Sequence, residues 1–225
     1  AVSTKNIYIC DDGRVLLDNF SHCISLISDG KLRRQIYDFD DDLKDEILYL
    51  APEIIFQSAD GYNMKSDIYS LGITACELAN GTHSYANLDY TNILLIKVQG
   101  VQPYLLDQTQ LSTEILEQPD KHNEPFINEI KKRRYSKDFH SFVSCCVATH
   151  LNYRCSVDEL QTHSFMKQAK KMSNDLHHFV DEITKITGSQ LEQQRSQNND
   201  NIQLIGDIFG NMDHSNKEHT PTWEF

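Results

Sequence analysis

The chain has 225 residues, 39% hydrophobic and 24% charged, which is the composition of a folded globular protein of about one domain. Its 33 acidic residues outnumber 21 basic ones, and a net charge of −12 gives no electrostatic support to nucleic-acid binding or to docking on anionic membranes. No apolar run approaches the roughly 20 residues that span a bilayer, and nothing at the start resembles a signal peptide. Cys10, Cys23, Cys76, Cys145, Cys146 and Cys155 form no C-x-x-C pair and have no His at ligand spacing. They are expected to be reduced, mostly buried thiols of a cytoplasmic or nuclear protein, with no metal site.

In chain order, the first predicted element is a β-hairpin. Ile7–Ile9 and Arg14–Leu17 are apolar runs joined by Asp11-Asp12-Gly13, and an Asp-Gly step between two such runs is a turn signal rather than a catalytic pair. Residues 22–50 lack firm periodicity. Their acidic run Asp38-Phe39-Asp40-Asp41-Asp42 fails the calcium-loop pattern, because the sixth position is Leu43 and the twelfth is Tyr49. It reads as a solvated loop.

From Ser66 the period becomes helical, with Ile68, Leu71, Ala75 and Leu78 on one expected face and Asn80-Gly81 as the stop. Further helices are predicted over 90–99 and over 137–149, the latter burying Phe139, Phe142, Val143, Cys146 and Val147. Ser156 with Glu159 three residues later is a capping box, which opens a helix over 156–162. Another follows over 164–171, and a weaker one over 175–186. The basic run Lys131–Arg134 reads as a solvated loop or helix end in preference to a localisation signal. Residues 189–201 are rich in Gln, Asn and Ser and are expected to be disordered. Two apolar islands follow, Ile202–Phe209 and Trp223-Glu224-Phe225, and the only Trp of the chain lies in the second.

Four landmarks occur in order: Ala51-Pro52-Glu53, then Lys65-Ser66-Asp67-Ile68-Tyr69-Ser70-Leu71-Gly72, then Asn152-Tyr153-Arg154-Cys155-Ser156, then His163-Ser164-Phe165. Together they resemble the carboxy-terminal lobe of a protein kinase, in which A-P-E closes the activation loop. The resemblance implies a mainly α fold over 1–171 with a short hairpin at its start and an activation-loop equivalent over 19–53. It also implies that Asp67 anchors the catalytic loop and that Glu53 pairs with Arg154, a structural ion pair that says nothing about activity. An extra helix over 172–187, a flexible linker over 188–222 and the terminal motif 223–225 complete the expected organisation. The start at Ala1 reads as a cut, with the amino-terminal lobe absent.

The chemistry positions differ from those of a working kinase. Asn19-Phe20-Ser21 stands where D-F-G belongs, and a neutral amide oxygen is a poor ligand for a hard divalent cation. Asp18 precedes it on a strand and points to the opposite face. Asn6 matches the second metal-binding position, and counting back from it puts Ala1 at the catalytic Asp, where a methyl group cannot accept a proton.

Asp60-Gly61-Tyr62, the stretch Gly72 to Gly81 and the ending Trp223-Glu224-Phe225 are similar to the STE20-related adaptor pseudokinases, STRAD. That resemblance implies an inactive adaptor that allosterically activates a partner serine/threonine kinase of the liver kinase B type. It implies that Trp223, Glu224 and Phe225 dock on a helical-repeat scaffold of the calcium-binding protein 39 family. It implies no cofactor in this fragment, with ATP binding reserved for a full-length protein. The alternatives are an active STE20-type kinase represented by a truncated chain, and a structural module without a partner.

Overall fold

The computed structural model describes residues 2–39, 46–85, 88–109, 124–169 and 176–188. The chain divides into two compact units, residues 1–10 with 14–173 and residues 11–13 with 174–225.

The first unit opens with a 3-10 turn, Thr4–Asn6, which runs into strand β1 (Ile7–Ile9). Strand β2 (Val15–Leu17) pairs with it antiparallel, Ile7 opposite Leu17 and Ile9 opposite Val15, as the Asp-Gly signal implies. Gly13 has φ of 79°, the left-handed conformation that this turn asks of a glycine. A second hairpin, β3 (Ile27–Ser28) with β4 (Lys31–Leu32), lies in the stretch that shows no periodicity. Its turn residues Asp29 and Gly30 have φ of 52° and 71°. Their Asp-Gly dipeptide is the local signal for it.

Helix α1 (Pro52–Ile55) starts on Pro52, whose fixed φ suits a first helical position, and so sets Glu53 in its first turn. Helix α2 (Lys65–Asn80) is the axis of the unit and ends at Gly81, φ 71°, whose amide donates to the Glu77 carbonyl at 2.9 Å. Its buried face is not the expected one. Ser66, Tyr69, Ser70, Ile73, Thr74 and Cys76 are buried with Ile68, whereas Leu78 is 69% exposed. An enclosed helix needs small and hydroxylated residues where neighbours come close, and these hide the apolar period. Gly72 is the closest approach: a Cβ there would lie 2.6 Å from Val147 Cγ1 and 2.7 Å from Cys146 Cβ. Gly72→Ala therefore lowers stability by about 1–3 kcal/mol through overpacking, measurable as a reduced midpoint in urea.

Helix α3 (Tyr90–Val98) is capped by Asp89, whose side chain accepts from the Asn92 amide. Helix α4 (Glu124–Lys132) has no counterpart in the sequence reading; it buries Ile127 and Ile130 and carries Lys131 and Lys132 in its last turn. The basic run is thus a helix end. Arg133, just beyond it, donates to the Asn80 carbonyl at 2.6 Å.

Helix α5 (Lys137–Cys146) starts at Ser136 and buries Phe142, Val143 and Cys146, with Val147 buried just past its end. It stops three residues short of the expected 149, because Ala148 and Thr149 leave the helix and turn their carbonyls to Arg154. Helix α6 (Val157–Thr162) has the complete capping box of Ser156 and Glu159. Helix α7 (Ser164–Ala169) follows, and residues 170–171 of the expected helix lie outside the described residues.

In the second unit, residues 176–188 are helical, two residues past the expected end, with Phe179, Ile183 and Ile186 exposed. The expected disordered stretch 189–201 and the apolar island 202–209 lie outside the described residues. All six cysteines are free. They are less buried than expected: Cys76 and Cys146 are buried, Cys10, Cys145 and Cys155 half-buried, and Cys23 exposed. No helix among the described residues is long and apolar enough to cross a membrane.

Candidate functional site

Three segments far apart in sequence meet at Arg154, which is 1% exposed. Its guanidinium forks onto the Glu53 carboxylate, Nη1 to Oε1 at 2.6 Å and Nη2 to Oε2 at 3.0 Å. Nε donates to the Ala148 carbonyl, and the remaining N–H groups reach the carbonyls of Lys65 and Thr149, so every donor of the guanidinium is used. The Tyr69 ring lies under it at 5.0 Å. Ser66 Oγ donates to Glu53 Oε1 at 2.7 Å and completes the carboxylate's shell. A buried ion pair of this kind persists only when both charges are fully hydrogen-bonded, and here both are.

Two lysines brace the same region. Lys65 Nζ donates to the carbonyls of Leu151 and Arg154, at 2.8 and 2.7 Å. Lys97, from α3, is 1% exposed and donates to Leu48 O at 3.0 Å and Leu50 O at 2.6 Å. The Tyr69 and Tyr85 rings flank its ammonium at 5.2 and 5.3 Å. Burial pushes this group down to about 7, although the Glu53 charge pulls the other way. Lys97 lies in the helix predicted over 90–99, but nothing in the sequence marks it as buried.

The segment before β1 is held from α2. Thr74 Oγ1 donates to the Val2 carbonyl at 3.0 Å, and Thr4 Oγ1 donates to Glu77 Oε2 at 2.9 Å. Tyr49, which precedes Ala51-Pro52-Glu53, donates its hydroxyl to the same Glu77 oxygen at 2.6 Å. Burial and that carboxylate raise the phenol to about 12, so it remains a donor. Asp67, given the anchoring role by resemblance, is exposed in the first turn of α2. No motif marks Thr74 or Glu77 in the sequence.

Asn6 is buried, and its backbone carbonyl accepts from the Asp18 amide at 2.8 Å. Asn19 is exposed with φ of 59°, and its Oδ1 accepts from Ser21 Oγ at 2.7 Å. Between the segment after Asn19 and α2 lies a cavity of about 300 Å³, lined among others by His22, Leu26, Glu46, Tyr62 and Asp67. Asp38 accepts from Arg33 at 3.1 Å, while Asp40–Asp42 lie outside the described residues. So do Ala1 and the terminal Trp223, Glu224 and Phe225. Among the described residues no group of His, Cys, Asp and Glu side chains is arranged to hold a metal ion.

A helical body around α2, an A-P-E helix latched to a late arginine and a short hairpin ahead of the loop define a protein kinase domain. Residues 3–166 match the protein kinase domain family, and the chain belongs to it. Within that family it is similar to STE20-related kinase adapter protein alpha. It is 32% identical to the Homo sapiens protein over 245 aligned residues that take in 100% of this chain and 55% of the relative. Identity to the Bos taurus protein is 31%, over 100% of this chain and 64% of the relative. STE20-related kinase adapter protein beta of Homo sapiens is 32% identical over 78% of this chain and 47% of the relative. The chain thus spans about half to two-thirds of the length of these relatives.

Proposed function

We propose that this chain is the carboxy-terminal lobe of a catalytically inactive kinase-fold adaptor. It binds a partner serine/threonine kinase of the liver kinase B type and favours that kinase's active conformation. It does so in the cytoplasm or nucleus, together with a helical-repeat scaffold of the calcium-binding protein 39 type. The observation that carries the reading is Asn19. At the position where the family places a magnesium-binding aspartate it offers a neutral amide oxygen, already engaged by Ser21 Oγ at 2.7 Å. Asn6 is the amide that working kinases also carry at the second metal position, so the departure is the lost carboxylate at Asn19, which weakens the site for a hard divalent cation. No phosphoryl-transfer step is therefore assigned to this chain, and ATP binding is left to a longer protein.

An adaptor needs shape rather than turnover. The Glu53–Arg154 latch, Lys97 and the Glu77 cluster fix residues 46–56, the part of an activation-loop equivalent that closes onto the fold. Such a surface activates a partner by binding its active conformation more tightly than its inactive one. Residues 188–222 act as the tether and Trp223, Glu224 and Phe225 as the scaffold anchor, two aromatics being a compact source of affinity.

Two assays on the longest natural protein containing this chain test the proposal. Phosphoryl transfer with magnesium and ATP is expected to stay at background, while a liver kinase B-type kinase gains activity when the protein and scaffold are added. Replacing Trp223 and Phe225 together by Ala weakens scaffold binding by about a hundredfold. Magnesium-dependent phosphoryl transfer by the unmodified protein, or unchanged affinity in the double variant, overturns the corresponding half.

A further inference from the structure

Helix α5 ends in two adjacent cysteines, and a third approaches them from the segment that leads into α6. The Cys155 amide donates to the Cys145 carbonyl at 3.2 Å, so the two stretches of backbone run side by side. A disulfide asks for that proximity, about 4.4–6.8 Å between Cα atoms. The Cys145 thiol donates to the Phe142 carbonyl at 3.2 Å. Cys145 and Cys155 are half-buried, whereas Cys146 is sealed at 0% exposure. Cys145 and Cys155 are therefore within reach of a small solute.

We propose that Cys145 and Cys155 are a peroxide-reactive thiol pair, Cys145 the nucleophile and Cys155 the resolving thiol, whose disulfide fastens α5 to the segment bearing Arg154. In the first step the Cys145 thiolate attacks one oxygen of hydrogen peroxide. The O–O bond breaks, an S–O bond forms and hydroxide leaves, so that Cys145 becomes a sulfenic acid and the peroxide is reduced. In the second step the Cys155 sulfur attacks the Cys145 sulfur. The S–O bond breaks, the Cys155 proton leaves with the hydroxyl as water, and the S–S bond forms. Overall, a dithiol and hydrogen peroxide give a disulfide and two waters.

The surroundings divide the roles. Hydrogen bonds from Cys146 and Cys155, with His163 nearby, outweigh burial and bring Cys145 down to about 6. Burial and the adjoining Cys145 charge hold Cys155 up to about 12. The second influence vanishes once Cys145 has become a neutral sulfenic acid, and Cys155 is then freed to resolve it. Cys146 follows Cys145 on the helix, so its side chain leaves about 100° around the axis, into the core against Gly72. A bond between neighbours there would distort the helix end. Cys155 directly follows Arg154, so the bridge acts on the backbone that carries the ion-pair latch.

The test uses the full chain, reduced and then exposed to hydrogen peroxide, alkylated with N-ethylmaleimide and digested without reductant. Trypsin separates residues 138–154 from 155–167, and mass spectrometry is expected to find them joined through Cys145 and Cys155, with dithiothreitol reversing the link. In Cys155→Ala the sulfenic acid on Cys145 persists and is labelled by dimedone; in Cys145→Ala neither product forms. At pH 6, iodoacetamide modifies Cys145 several-fold faster than an ordinary peptide thiol, because more of it is thiolate. A bridge through Cys146, oxidation confined to Cys23, or no gain of dimedone label in Cys155→Ala overturns the proposal.

Discussion

Arg154→Ala lowers the melting temperature of the kinase domain by about 10 °C, the largest single-residue effect expected in this chain. The substitution removes every hydrogen bond of the guanidinium and leaves the buried Glu53 carboxylate with the Ser66 hydroxyl and, at longer range, the Lys97 charge. Stripping one partner from a buried pair costs about 3–5 kcal/mol, and a domain of this size loses about 2–4 °C for each kcal/mol. Arg154→Lys recovers little, since a point charge cannot reach two carboxylate oxygens and three carbonyls at once. Thermal melts followed by circular dichroism decide the matter. A shift under about 3 °C for Arg154→Ala would mean that the latch is dispensable.

The second large effect is a pH dependence centred on Lys97. The group sits near 7 in the folded protein, below the ordinary lysine value of about 10.4 that the unfolded chain restores. Between those values the unfolded state binds more protons than the folded state, so stability rises with pH. The penalty for burying the charge is complete below about pH 7 and disappears above about pH 10.4. The unfolding free energy of the natural protein minus that of Lys97→Met therefore rises with pH. The natural protein gains about 1.4 kcal/mol per unit relative to the variant. Burial holds the flanking Tyr69 and Tyr85 above their ordinary values, so neither titrates between pH 7 and 9. Urea unfolding of both proteins at pH 7, 8 and 9 checks this, and a constant gap across that range would contradict it. At every pH the variant also loses the donors to Leu48 and Leu50. That offset moves the curves without changing their slope.

Legibility from sequence followed the range of the interactions. The Ser156–Glu159 box could be read directly because both halves of it lie within four residues, and so could the Asp11–Gly13 turn. The Glu53–Arg154 pair spans 101 residues, and no local pattern joins them; only resemblance to a family did. Lys97 escaped because a lysine on a helix ordinarily lies at the surface. Its burial depends on carbonyls at residues 48 and 50 that only the folded chain brings near. The face of α2 was misjudged through Leu78, since an enclosed helix has no single apolar stripe to read. Helix α4 shows the reverse: Ile127 and Ile130 are correctly spaced, but the adjoining basic run makes the local pattern one of charge.

The long interval between Glu53 and Arg154 also sets an order of events on the ribosome. Glu53 emerges 101 residues before its counter-ion, an interval of about 5–20 s at ordinary rates of translation. Throughout that time the A-P-E carboxylate lacks its guanidinium partner, so closure of residues 46–56 over α2 is disfavoured. Release of the arginine from the ribosome, later than that of the central helix, is the point at which the latch can form. A message ending before the arginine's codon yields a chain without the latch, carrying at least the stability cost of Arg154→Ala.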